Sequence, residues 1–248
     1  MTKSLLSSSS LPQMRTFPNT PITGMTLKVI AMMTMLVDHF AIVLWPNVSL
    51  TQTSLWGGSL LPLPYLIMRL IGRIAFPLFA FLLVEGFLHT HNRKRYAIRL
   101  LSLGLVSEIP YDLALHQSWF DLISQNVFFT LFLALGALWL VDDYRQNNPF
   151  LGFMGVMGIG LLAEGLHTDY QSFGIGLVII LYVLHDRRYL ESLWGSLLCL
   201  WEGPTVLVSF FLTCYYNGQR GKGNGHWWYW IYPVHLLVFA LIRRLLVE

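Results

Sequence analysis

Apolar residues run almost unbroken over 25–45, MTLKVIAMMTMLVDHFAIVLW. About 20 such residues suffice to cross a ~30 Å hydrocarbon core as a helix. Asp38 and His39 sit inside the run. An ionised group at that depth costs roughly 2–3 kcal/mol on insertion scales. A simple anchor has no use for them, so the other spans are expected to be built around this pair. Similar runs recur at 66–88, 96–115, 126–141, 150–166 and 170–184, with a last one at 227–246. The last opens on WWYWIY, an aromatic belt suited to a membrane interface. The stretch 189–216 is broken by Trp201-Glu202-Gly203-Pro204. It reads as one interrupted span or as two short helices. No two-residue alternation is sustained, which argues against a β-barrel. The predicted class is all-α, a polytopic helical membrane bundle of about eight or nine spans.

Polar positions inside and between the runs refine this picture. Arg69 and Arg73 lie four apart, on one helix face. Pro77 follows Arg73 by four, so the Arg73 carbonyl loses its helical donor and a kink is expected. Glu108 and Asp112 share a face of the third run around Pro110. The stretch 46–64 has no acidic or basic residue and reads as a loop. The Ser-, Thr- and Pro-rich residues 1–24 read as a flexible tail, and 25–248 as one domain.

Composition agrees. The chain is 55% hydrophobic and only 12% charged, against about 25% charged in soluble domains. Its net charge of +3 reflects basic loops, and no nucleic-acid partner is expected. The strongest basic cluster, Arg93, Lys94, Arg95 and Arg99, follows the second run. By the positive-inside rule it is cytoplasmic, and so is the N-terminus. Arg220 and Lys222 compete with Arg243 and Arg244 for the inner side, so the C-terminal third is not oriented. Cys199 and Cys214 lie in apolar sequence and read as packing thiols. The two histidines of HTH are too few for a metal site, and the glycine-rich NGQRGKGNG lacks P-loop spacing.

Counting about 1.5 Å per residue, His39, Arg73 and Glu108 fall at comparable heights on three consecutive spans, with Asn126 a little above. Converging ionisable groups inside a membrane mark a functional site. Imidazole is suited to general-base work near neutrality. Arg73 is suited to an oxyanion, a phosphate or a carboxylate. Glu108 would orient the imidazole or neutralise Arg73, and Asp38 would pair with Arg69 or Arg73. The alternatives are a structural ion pair for Asp38 and a packing role for His39. The Arg93 cluster reads as a topology signal, or as a landing site for a polyanion such as the phosphates of coenzyme A.

The stretches LKVIAMMTMLVDHF, LIGRIAFPLFAFLLVEGF, SEIPYDLA, NVFFTLFLALGAL, YNGQRG and IYPVHLL, in this order, resemble the TraX family, named for F-pilin acetylation. That family in turn resembles the transmembrane acyltransferases, which use a histidine in an early span. The resemblance implies a multi-pass protein of the bacterial inner membrane that uses acetyl-CoA as co-substrate and holds no permanent cofactor. It implies His39 as catalytic base with Asp38, Arg73 and Glu108 beside it. Asn126, Tyr232 and His235 become candidate site residues, and Arg93, Lys94, Arg95 and Arg99 the coenzyme site. The acceptor would be a pilin N-terminus or a cell-envelope glycan. A non-enzymatic pilus assembly factor and a proton-coupled transporter using Asp38 and Glu108 remain the other readings.

Overall fold

A computed structural model describes residues 19–45, 62–223 and 226–247. Most of the expected N-terminal tail, 1–18, lies outside the described residues, as does 46–61 of the expected loop. Among the described residues helix is the only extended element, with one isolated bridge between Gln125 and Thr168. The all-α expectation is met.

Helix α1 (Gly24–Val43) starts from a capping box. Thr23 Oγ1 accepts from the Thr26 amide at 3.2 Å, and Thr26 Oγ1 accepts from the Thr23 amide at 3.4 Å. Two amides that a helix start leaves open are thus satisfied. The glycine-rich loop supplies more partners. Gly24 and Met25 donate their amides to the carbonyls of Gln219 and Arg220 at 2.8 and 2.9 Å.

The second apolar run forms α2 (Leu63–Gly72) and α3 (Ala75–His89). The break falls at Arg73 and Ile74, where Pro77 has no amide to offer and Ile74 donates back to Ile71 at 3.2 Å. Helix α4 (Arg93–Leu115) begins three residues before the expected start, because Asn92 caps it by accepting from the Arg95 amide at 2.8 Å. The basic cluster is therefore the first turns of a helix rather than a loop. Helix α5 (Val127–Tyr144) runs three residues past its expected end. Asp142 and Asp143 are held there by Arg93, and Asp142 also accepts from the Tyr182 hydroxyl at 2.5 Å. Helices α6 (Pro149–Gly165) and α7 (Gln171–Val183) match expectation within a residue at each end.

The ambiguous region is two short helices, α8 (Arg188–Cys199) and α9 (Val206–Cys214). They are joined through a 3-10 turn and Gly203, whose φ of +133° suits glycine alone. Helix α10 (Ile231–Val247) follows the 3-10 turn His226–Tyr229. The two cysteines are free, with Cys199 buried.

Successive passes alternate in direction. Arg93, Asp142 and Tyr182 meet at one end, where Arg220 lies beside the start of α1. His39, Arg69, Arg73, Tyr111, Asp169, Glu202 and Tyr232 gather at the other. Arg243, late in α10, donates to the carbonyls of Leu113 and Ala114 at the C-terminus of α4, at 2.6 and 2.7 Å. A guanidinium there satisfies open carbonyls and suits the negative end of the helix dipole. Arg220 lies beside the start of α1, and Arg243 sits at the opposite end of the bundle.

The middle of the bundle is α3 rather than α1. It packs against α1, α5, α7 and α9, and Phe76, Leu78, Phe81, Val84 and Phe87 are all buried. The outer faces expose large apolar side chains, among them Met33, Leu105, Phe153, Leu161 and Phe211. That surface suits lipid. Among the described residues, Gly24–Val43, the combined run Leu63–His89 and Val127–Tyr144 are long and apolar enough to cross a bilayer.

Candidate functional site

A cavity of about 330 Å³ opens between α1, the α2–α3 break, the ends of α4 and α10, and the turns preceding α7 and α9. Asp38 and His39 enter it from the fourth turn of α1. Arg69 and Arg73 enter from α2 and its C-cap. Tyr232 comes from the first turn of α10. The α6–α7 turn is held by Gln125, whose amide donates to the carbonyl of His167 at 2.9 Å. That contact brings Asp169 and Tyr170 to the cavity wall. The 3-10 turn after α8 brings Glu202.

Charges in the cavity are mostly paired. Arg69 Nη1 lies 2.6 Å from Asp38 Oδ2, and Arg73 Nη1 lies 2.7 Å from Glu202 Oε2. Asp38 therefore takes Arg69, one of its two expected partners. No hydrogen bond or ion pair is formed by Asp169 among the described residues. It lies in the loop outside the spanning helices. Asp169 keeps a solvent-exposed face, yet the protein packed around it and the Asp38 carboxylate nearby push it up to about 7 against the pull of Arg73.

His39 meets α10. Its Nδ1 lies 2.6 Å from Nε2 of His235. His235 Nδ1 lies 2.7 Å from the carbonyl oxygen of Ile231. Tyr232 stands edge-on to both rings, with centroids 5.9 and 5.6 Å away. Four of the expected site residues, Asp38, His39, Arg73 and Tyr232, thus share one cavity, and His235 contacts His39 from behind.

Glu108 is elsewhere, and its expected contact with His39 or Arg73 is not made. Arg73 is taken by Glu202, and Glu108 accepts from the side-chain amide of Asn126. Asn126 also donates to the carbonyl of Gly104 at 2.9 Å and caps α5 by accepting from Phe128 at 3.0 Å. Neither Glu108 nor Asn126 lines the cavity. Both join α4 to α5, because consecutive helices meet there before either reaches α1.

The basic cluster is also distant. Arg93 lies 18 positions before Tyr111 on α4, about 27 Å by helical rise. Arg93 is engaged by Asp142 and Asp143 and sits over the Phe87 ring at 4.4 Å. Lys94, Arg95 and Arg99 are exposed. Arg99 and Lys28 share the face of Tyr229, at 6.0 and 5.3 Å.

Asp169 and Glu202 were not among the expected site residues. Each follows a chain reversal, with no periodic signal to place it on a helix face. The one available sign was that Trp201-Glu202-Gly203-Pro204 sets a carboxylate at a turn inside apolar sequence.

Fold and site together define a class: a helical bundle of membrane character with a charged, histidine-lined cavity at one end. The TraX protein family matches residues 23–243, and the chain belongs to that family. It is also similar to a probable fimbrial assembly protein FimC, serogroup H1, of Dichelobacter nodosus. Identity is 27% over 257 aligned positions, covering 92% of this chain and 98% of that protein. No solved structure matches.

Proposed function

We propose that the protein is a membrane-bound acyltransferase serving pilus or fimbrial biogenesis, with acetyl-CoA as acyl donor. The observation that carries this reading is the His39 imidazole on the wall of a charged cavity, beside Asp38, Arg69 and Arg73. A nitrogen or oxygen of the acceptor attacks the thioester carbonyl, and His39 takes the acceptor's proton. An arginine of the cavity faces the developing oxyanion. Collapse breaks the carbon–sulfur bond, and His39 returns the proton to the leaving thiolate.

The exposed basic residues Lys94, Arg95 and Arg99 hold the coenzyme phosphates. Among the described residues, three helical runs long and apolar enough to cross a bilayer, together with shorter apolar helices, support the reading as a multi-pass protein of the bacterial inner membrane. Its N-terminus and basic end face the cytoplasm, and its cavity and C-terminus face outward. The acceptor is a pilin subunit, with an envelope glycan as the other candidate.

The name of the relative favours a second reading, an assembly factor that binds pilin without chemistry. Intact-mass measurement of pilin and envelope glycans separates the two. Cells carrying the wild-type gene should show an added acetyl mass that disappears with His39→Gln at equal expression. Identical masses in both strains, with pili still dependent on the protein, would remove the enzymatic reading and leave the assembly factor.

A further inference from the structure

His235 does not line the cavity and is buried, so it reaches the site only through His39. Its Nδ1 faces the carbonyl of Ile231, one turn back on α10, at 2.7 Å. A carbonyl only accepts, so Nδ1 carries the proton and donates. In the neutral ring Nε2 then holds a lone pair. That lone pair faces Nδ1 of His39 at 2.6 Å. The rings lie within 6° of parallel with centroids 4.9 Å apart. A centroid spacing that wide, with the two nitrogens so close, describes rings meeting edge to edge, as an in-plane N–H···N bond requires. The bridging proton must therefore belong to His39 Nδ1. In the neutral ring, His39 Nε2 is left with the lone pair. Among the described residues no group bonds Nε2, and the cavity lies beside it.

We propose that His235 is a positioning residue that locks His39 in the Nδ1–H tautomer and leaves its Nε2 as a lone pair for the cavity. This rests on the reading of His39 as proton acceptor. The chain of bonds runs from the Ile231 carbonyl through His235 to His39, and each donor is fixed by the one before it. When Nε2 takes the acceptor's proton, the acceptor's N–H or O–H bond breaks and an Nε2–H bond forms. The Nδ1–H bridge is unchanged, and the imidazolium keeps its hydrogen bond to His235. Tyr232, and Phe239 edge-on to His235 at 5.6 Å, wall the pair and oppose ring rotation. A neutral imidazole does here what a carboxylate does behind a catalytic histidine in soluble hydrolases. It orients the ring without bringing another negative charge into the bundle.

The test reads the tautomer directly. The full chain is prepared in detergent with isotope-labelled histidine, and ring nitrogens are recorded by NMR at a pH where the rings are neutral. His39→Gln assigns the His39 signals. Wild-type protein should show a protonated Nδ1 and a bare Nε2 at His39. His235→Ala should release that preference, and His235→Gln should restore it, since the amide oxygen can accept from Nδ1–H. A bare Nδ1 in the wild type overturns the proposal without any variant having to fold. A tautomer indifferent to His235→Ala overturns it as well.

Acetylation of the acceptor in cells should fall about 100-fold in His235→Ala and recover most of that in His235→Gln, in line with the contribution of a positioned base. If the tautomer behaves as stated and no acetylation occurs even in the wild type, the acyltransferase reading fails and the positioning stands. If His39→Gln abolishes acetylation while the tautomer ignores His235, the positioning alone fails.

Discussion

Gly72 has only a hydrogen to offer Asp38. A β-carbon on Gly72 would fall 2.1 Å from Oδ1 and 2.4 Å from Cβ of Asp38. The close approach of α2 to α1 is what brings Arg69 within 2.6 Å of the Asp38 carboxylate. Gly72→Ala should force the two helices apart and open that pair. The expected loss is about 1–3 kcal/mol, the usual range for overpacking, read as a lower unfolding midpoint in detergent. Gly158→Ala is the control, since its added carbon meets nothing within 4 Å. A midpoint unchanged in Gly72→Ala would show that the helices are not held at this distance.

Asn126 and Glu108 should behave as structural residues. Asn126→Ala removes the cap of α5 and the donor to a buried carboxylate together. A loss of about 2–4 kcal/mol is expected from the cap and the orphaned group. Glu108→Gln keeps an oxygen for Asn126 to donate to and should retain both stability and acetylation. If Glu108→Gln abolished acetylation in a stable protein, Glu108 would have to be returned to the site.

Arg73 and Glu202 join the α2–α3 break to the turn before α9. Glu202→Gln leaves Arg73 without its carboxylate partner on the cavity wall. The pair is partly exposed, so the expected loss is about 1–2 kcal/mol, below that of a fully buried pair. The double variant Arg73→Gln with Glu202→Gln should lose less than the sum of the single changes. Strict additivity in a thermal or denaturant series would show that the two do not interact.

Asp169 should make stability depend on pH. Its folded-state pKa is raised from 3.8 to about 7. A carboxyl shifted upward favours the folded state while protonated, and its contribution falls as pH rises through that window. The wild-type midpoint should therefore drop relative to Asp169→Asn between about pH 4 and pH 7. Parallel curves for the two proteins would contradict the shift.

The longer helices were legible because the stretches at 25–45, 66–88 and 126–141 are each long and apolar. The break at Arg73 was legible because Pro77 has no amide. The short pair α8 and α9 was half legible: glycine and proline mark the interruption, but hydropathy does not distinguish one broken helix from two. Helix ends were less legible. Asn92 extends α4 backward, and Arg93 carries α5 forward by holding Asp142, a contact between residues 49 positions apart.

From the residues alone came a helical bundle with ionisable groups in its spans and a histidine, His39, set among them. These follow from composition and local spacing, which every segment carries by itself. Partner choice could not be read that way. Whether Arg73 meets Glu108 or Glu202, and whether His39 meets a carboxylate or a second imidazole, depends on how α1, α4 and α10 approach one another in three dimensions. Equal depth along parallel helices says nothing about which faces turn together. The packing of α10 against α1 brings residues 39 and 235 into contact, and the packing of α5 against α4 takes Glu108 away.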